Sequence, residues 1–319
     1  MRAWTRSLVL LLGLALSAPA QAGHQGSAAA GGRVGAQRLK ARQQRQKRRS
    51  EAARQLADLR ETTYISRDIA SHETFLGPSF FRSLRGLGKG DHWIEIGPSS
   101  DARLALGYLF DTPEAQPYGF PREKARVTGV GLEELHPHLA GQLDHAMKAR
   151  GVRYEHKAGR YLENYKRGEI ERGNVVNDQF GAFSYTHRPQ RILEIEGELL
   201  VEGGMLHTHS SPFTRVVDEH GNDVFVEWLK ATQGLELVEH GKVDHGNMSW
   251  HQVALRRTGG SVRAPALRMT HFEMGHPPVR EFVWDGRPAR AERTPATRRT
   301  KVRASESRTR EAPGAAASP

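Results

Sequence analysis

The sequence predicts a doubly wound α/β domain: a mostly parallel sheet of seven strands, flanked by helices and finished by an antiparallel strand. Three observations carry this expectation. Between residues 92 and 229, short strand-like runs alternate with helical stripes, as a parallel sheet with crossover helices requires. The first of these runs ends at a glycine-led turn that opens into a helix. After the last helical stripe, two strand-like runs follow one another directly, as a closing antiparallel pair does.

The elements follow in order. Residues 92–96, His-Trp-Ile-Glu-Ile, read as a strand ending at Gly97, and residues 102–110 as a helix. Residues 125–130 are a second strand, and Leu135, Leu139, Leu143 and Met147 mark a helix face at spacing four. Residues 152–156 form a third strand. Residues 174–177 form a fourth, running into Asp178. Ile192, Ile195 and Leu199 make the next helical stripe, with Glu194, Glu196 and Glu198 expected outside it. Gly203-Gly204 turns the chain into a fifth strand, residues 205–209. Val224, Trp228 and Leu229 belong to another helix, and residues 235–243 and 250–256 are the closing pair. Phe225, Trp228 and Trp250 are expected in the core.

The ends read differently. Arg2 and Arg6, the nine apolar-run residues 8–16, and Ala20-Gln21-Ala22 before Gly23 have the pattern of a removed export signal, residues 1–22. The run is too short for the ~20 residues that span a bilayer, and no transmembrane segment is expected elsewhere. An exported, periplasmic or extracellular location follows as an expectation. The chain has no cysteine. That removes disulfides, thiolate metal sites and lipid attachment at cysteine, so the fold must rest on core burial. Residues 23–60 are a flexible Gly/Ala-rich linker followed by a basic, helix-favouring run. Residues 61–285 are the folded domain, and residues 286–319 a disordered basic tail.

The net charge of +11 is unevenly placed. Residues 33–60 hold ten basic and two acidic residues, residues 286–319 nine and three, and Arg2 and Arg6 add two more, leaving the rest near −5. The domain is therefore mildly acidic, and the sequence carries no zinc finger, RNA-binding aromatic signature or helix-turn-helix. No specific nucleic-acid partner is expected; the basic tails could touch anionic surfaces. No Gly-x-Ser-x-Gly elbow points to a hydrolase.

Five segments in order carry a resemblance: Trp93–Ala102, Val127–Glu134, Ala158–Asn164, residues 177–186 (Asn-Asp-Gln-Phe-Gly-Ala-Phe-Ser-Tyr-Thr), and residues 198–209 around Gly203-Gly204. Together they resemble class I S-adenosylmethionine-dependent methyltransferases over about residues 75–260. The resemblance implies S-adenosylmethionine as cofactor, held by Glu95, Gly97, Ser99, Glu133 and Glu163, with Asp178 and Tyr185 facing an unidentified methyl acceptor. Two readings stay open for some of these. Glu95 contacts the cofactor's amino group or caps its strand; Asp178 is a carboxylate poised at the cleft or a turn and helix cap. Tyr185 and His187 line the cleft or a surface loop.

This chain also departs from the pattern. Ser99 and Asp101 stand where relatives carry glycines, and Gly131 where they carry the ribose-binding carboxylate. Asp101 would repel the cofactor's carboxylate unless it turned outward or paired with Arg103. A lost charge-assisted hydrogen bond costs roughly 1.5–3 kcal/mol. Glu133, two residues beyond Gly131, could substitute if the loop folds back. An exported protein would also rarely meet a cofactor made in the cytoplasm. The alternative function is a non-catalytic exported binding module that kept the fold and lost the cofactor. His207 and His209 stand two apart and so face one way on a strand, a metal-pair spacing that His240, His245 or His251 could complete. Sixteen histidines make close pairs common by chance, and no metal site is expected.

Overall fold

In a computed structural model of the chain, a seven-stranded sheet is built outward from its first strand, β1 (His92–Ile96). On one side stand β2 (Arg126–Val130) and β3 (Tyr154–Lys157). On the other stand β4 (Gly173–Asp178) and β5 (Leu200–His209). These five run parallel. Beyond β5 the order is β8 (Met248–Arg257), then β7 (Leu235–His245), and β8 is antiparallel to both its neighbours. β8 alone is reversed. The described residues are Gln43, 68–211, 213–245, 248–274 and 278–289. Contacts divide the chain into Met1–Arg54 and Gln55–Pro319, and all described residues except Gln43 belong to the second unit. The expected export signal, the basic run to residue 60 apart from Gln43, and the tail from residue 290 lie outside them.

Side chains alternate across the sheet, so each face collects its own core. Trp93, Val127 and Val175 face α1 (Ile69–Arg85) and α2 (Arg103–Phe110), packing with Phe80, Leu84, Leu104 and Tyr108. Helix α3 (Pro137–Arg150) buries Leu143 of its expected stripe, while Leu139 and Met147 are half-buried. Ile94, Ile96, Val176 and Leu206 face the other way. They pack against Ile192 and Leu193 of α5 (Pro189–Glu198) and Trp228 of α6 (Phe225–Lys230), with the short helix α4 (Ala182–Tyr185) between β4 and α5. Helix α1 starts under a cap, Asp68 Oδ1 accepting the Ser71 N–H at 2.8 Å. It kinks at Gly77, where φ is +76° just before Pro78.

Three findings differ from the sequence reading. Glu196 is fully buried, not outside the helical stripe. It lies four residues after Ile192, on the helix face that meets the sheet. Strand β5 begins at Leu200, ahead of Gly203-Gly204, but its register on β4 shifts between Leu200 and Met205, with Gly203 at φ +79°, so the expected turn is an irregularity within the strand. A second sheet, β6 (Thr214–Val217), β10 (Val279–Val283) and β9 (Arg268–Glu273), also forms. Every residue of β10 is buried, so its sequence shows no alternation from which to read a strand. The chain stays packed past residue 285: Ala289 is only 7% exposed and its carbonyl accepts from Gln233 Nε2 at 3.3 Å. Among the described residues, no helix is long and apolar enough to cross a membrane.

Candidate functional site

The chain reverses direction across the sheet between β1 and β4, and the loops leaving their carboxyl ends part there to leave a cleft, the usual ligand position in such sheets. Gly97 turns the chain after β1 at φ +73°, its N–H donating to the Val130 carbonyl at 2.8 Å. A Cβ on Gly97 would stand 2.5 Å from the Gly181 Cα, and one on Gly181 would stand 2.6 Å from the Ile96 carbonyl oxygen. Two backbones therefore touch where only glycine fits. The cleft beside them encloses about 300 Å³, a size suited to a small molecule. Gly97, Gly131, Leu132, Glu133, Glu163, Phe180 and Tyr185 are among the residues that line it.

The loop after β1 disposes of its unusual carboxylate. Asp101 accepts from the Ser99 hydroxyl and pairs with the Arg103 guanidinium, and neither Ser99 nor Asp101 lines the cleft. The loop after β2 folds back as its sequence allowed. Glu133 Oε2 accepts the Ser100 N–H at 3.2 Å, and its backbone carbonyl accepts from His156 Nε2 at 2.8 Å. A carboxylate thus bridges the first two loops at the cleft wall. Opposite Gly131 there is room: a Cβ would meet Pro98 at an ordinary 3.4 Å. Glu163 Oε1 accepts the Thr186 hydroxyl at 2.9 Å on the far wall.

Glu95 goes elsewhere. Sharing a sheet face with Trp93, it is buried under α1 with its Oε1 3.5 Å from His72 Nε2, and it does not line the cleft. The His72 ring is held by an Nδ1–H bond to the Asp68 carbonyl at 2.8 Å. Asp178 lies at the end of β4 but turns inward. Its Oδ1 accepts the Gly181 N–H at 2.7 Å and its Oδ2 the Phe183 N–H at 2.8 Å, capping the turn into α4. Tyr185, at the end of that helix, is 41% exposed and lines the cleft; His187 touches Phe272 instead.

Two residues that sequence reasoning missed hold this wall. Burial holds the Glu196 carboxyl well above the usual carboxylate range, with Asp178 and then Glu163 adding to the effect. Arg280 of β10 is fully buried, donating to the Thr186 carbonyl and, at 3.0 Å, to Thr214 Oγ1. Burial pulls its guanidinium down to about 10. The small sheet therefore braces α4 through a buried cation. The position of Glu196 in the helical repeat was a readable signal; nothing in the sequence marked Arg280.

His207 and His209 face one way, as expected, but beneath α1. His207 Nε2 lies 2.9 Å from Ser83 Oγ. His209 Nδ1–H donates to the Ser210 carbonyl at 3.1 Å, and its Nε2 accepts the Phe180 N–H at 3.3 Å. Burial lowers the two rings to about 3 and about 4. His240 and His251 meet each other instead, and the His245 side chain lies outside the described residues. Among the described residues, no three His, Asp or Glu side chains are grouped to hold a metal ion.

No family model and no curated protein matches the chain. Solved structures similar to it include the N-methyltransferase NodS from Bradyrhizobium japonicum in complex with S-adenosyl-L-homocysteine, at 14% identity and a TM-score of 0.38. That match covers 61% of this chain and 91% of that one. An rRNA methylase from Streptococcus thermophilus is similar at 13% identity and a TM-score of 0.34, covering 62% of this chain and 100% of that one. Both of these similar structures are methyltransferases.

Proposed function

We propose that this chain is an exported S-adenosylmethionine-dependent methyltransferase-like protein, with its cofactor cleft between the loops after β1, β2 and β4. The observation that carries the proposal is Glu133. Its carboxylate returns to the cleft wall beside Gly131 and supplies the acceptor group that the strand end lacks. The other residues present fit the cofactor as well. Gly97 and Gly181 keep side chains out of the cleft, Asp101 is neutralised outside it, and the wall offers Leu132 and Glu163. When bound, S-adenosylmethionine supplies an electrophilic methyl group for in-line transfer to a nucleophile. The protein's part is positioning. Glu133 would hold the ribose hydroxyls, Gly97 the methionine side and Glu163 the far end, with Tyr185 on the acceptor side. Asp178 acts as a positioning residue, because both its oxygens hold the turn that sets α4.

That same engagement of Asp178 favours a second reading, an exported binding module without catalysis. It leaves no free carboxylate at the acceptor end to receive a proton. Calorimetric titration of the full-length protein with S-adenosylmethionine tests the first reading. Binding in the range of ~10–1000 μM is expected, weakened at least tenfold by Glu133→Ala. Binding untouched by Glu133→Ala would remove Glu133 from the site, and no binding at millimolar cofactor would leave the second reading. Terminal sequencing of the native protein tests export: the expected start is Gly23, and an intact Met1 in the cytoplasmic fraction would contradict it.

A further inference from the structure

The outer hairpin carries a histidine pair that neither the cleft nor the core uses. β7 and β8 pair with His240 opposite Val253 and Lys242 opposite His251, so His240 and His251 are diagonal neighbours on one face of the ladder. Their rings meet, His240 Nε2 lying 2.7 Å from His251 Nδ1. His251 is fixed from several directions. Its N–H donates to Ser210 Oγ at 2.7 Å and its carbonyl accepts the Ser210 N–H at 2.8 Å. Its ring stacks on Phe225, and its Nε2 lies 3.6 Å from Asp223 Oδ2. Asp223 is held in turn, its Oδ1 accepting the Phe225 N–H at 3.0 Å. The His251 side chain is 18% exposed and His240 is exposed, so the pair lies at the protein surface.

We propose that His240 and His251 chelate one divalent transition-metal ion of the Zn²⁺ class, with Asp223 as the orienting carboxylate behind His251. A carboxylate on the far nitrogen of an imidazole is the usual support of a metal-bound histidine: it fixes the tautomer and aims the other nitrogen. Here the Asp223 carboxylate, 3.6 Å from Nε2, favours a proton on Nε2 of His251 by its charge; that leaves Nδ1 with a lone pair, and His240 then donates through its Nε2–H. On metal entry the His240 proton moves from Nε2 to the solvent-facing Nδ1, both facing nitrogens present lone pairs, and no proton leaves the pair. At Zn–N lengths of 2.0–2.1 Å in tetrahedral geometry the two nitrogens stand about 3.3 Å apart. In the present 2.7 Å contact the two nitrogens point at each other, so the exposed His240 ring must swing about 2 Å sideways before both lone pairs converge on one ion. Water fills the remaining positions. In a chain without cysteine, such a clasp ties the edge strand β7 to β8 and stabilises only the folded state.

The test is calorimetric titration of the metal-stripped full-length protein with ZnCl₂, together with Cu²⁺ electron paramagnetic resonance. One site of micromolar affinity with two nitrogen couplings is expected. His240→Gln and His251→Gln should each weaken it at least tenfold and remove one coupling. Asp223→Asn should weaken it about tenfold, and His220→Ala should leave it unchanged. Absence of zinc binding, or binding unchanged in both histidine variants, overturns the site. An Asp223→Asn variant with wild-type affinity overturns the role of the carboxylate.

Discussion

Asp178 and Glu196 are two carboxyl groups buried together behind the cleft, and the presence of the first raises the pKa of the second. Asp178 receives two backbone N–H bonds, from Gly181 and Phe183. Glu196 is fully buried, and burial, with Asp178 beside it, holds its carboxyl well above the usual carboxylate range. The sign of its contribution follows. Because its folded pKa is raised, the native state binds more protons than the unfolded state above about pH 4.5, and stability falls as pH rises through that range. Glu196→Gln removes this penalty. Denaturant melts should show the variant more stable than wild type at pH 7, with the difference vanishing below about pH 4.5. A destabilised variant at pH 7 would show that the carboxyl makes a bond that the amide cannot.

His207 and His209 act in the opposite sense. Burial depresses both, to about 3 and about 4, so the unfolded chain takes up protons below about pH 6.5 while the native chain does not. Their stabilisation is present above that pH and is lost as pH falls, by roughly 1.4 kcal/mol per pH unit for each ring. Glu196 partly offsets the loss, so Glu196→Gln exposes the full slope. Urea midpoints from pH 7 to 4.5 in that background should drop steeply. Adding His209→Gln should remove the share of one ring, roughly 1.4 kcal/mol per pH unit. An unchanged slope would mean that His209 already ionises freely.

The contact between Gly97 and Gly181 tolerates no side chain. Gly97→Ala places a Cβ 2.5 Å from backbone at a positive φ. Overpacking and left-handed strain together should cost about 2–4 kcal/mol. Gly119 has a similar φ of +60° but nothing within 4 Å, so Gly119→Ala should cost only about 1 kcal/mol. Chemical denaturation of the two variants checks the difference. Equal costs would show that backbone strain alone, and not the approach of the β1 and β4 loops, makes Gly97 necessary.

Restoring the usual methyltransferase pattern should tighten cofactor binding. A Cβ at Gly131 meets Pro98 at 3.4 Å and the Gly97 Cα at 3.8 Å, ordinary contacts, so the position has room for the first carbon of a side chain. In the Glu133→Ala background, adding Gly131→Asp should recover at least tenfold of the lost S-adenosylmethionine affinity in the same calorimetric titration, the gain of one charge-assisted hydrogen bond. No recovery would mean that position 131 does not face the ribose.

The parallel core could be read from the sequence because its signals are local. The strand that ends at Gly97, the stripe through Ile192 and Ile195, and the final pair of strands each follow from spacing within a dozen residues. The cleft residues Gly97, Glu133, Glu163 and Tyr185 were among those that the resemblance implied, because its motifs lie in the loops that leave the carboxyl ends of the strands. What spacing could not supply were the long-range pairings. Strand parity puts Glu95 on one face of the sheet, but only the packing of α1 across that face makes its neighbour His72. Asp178 caps its own turn through Gly181 and Phe183, one of the two readings its sequence left open, but the close approach of Gly181 to Gly97, more than eighty residues away, had no local signal. Arg280 braces α4 from a strand almost one hundred residues further along, where uniform burial erased the alternation that would have marked it. Periodicity records which face of an element is apolar; which distant residue meets that face depends on how the layers close.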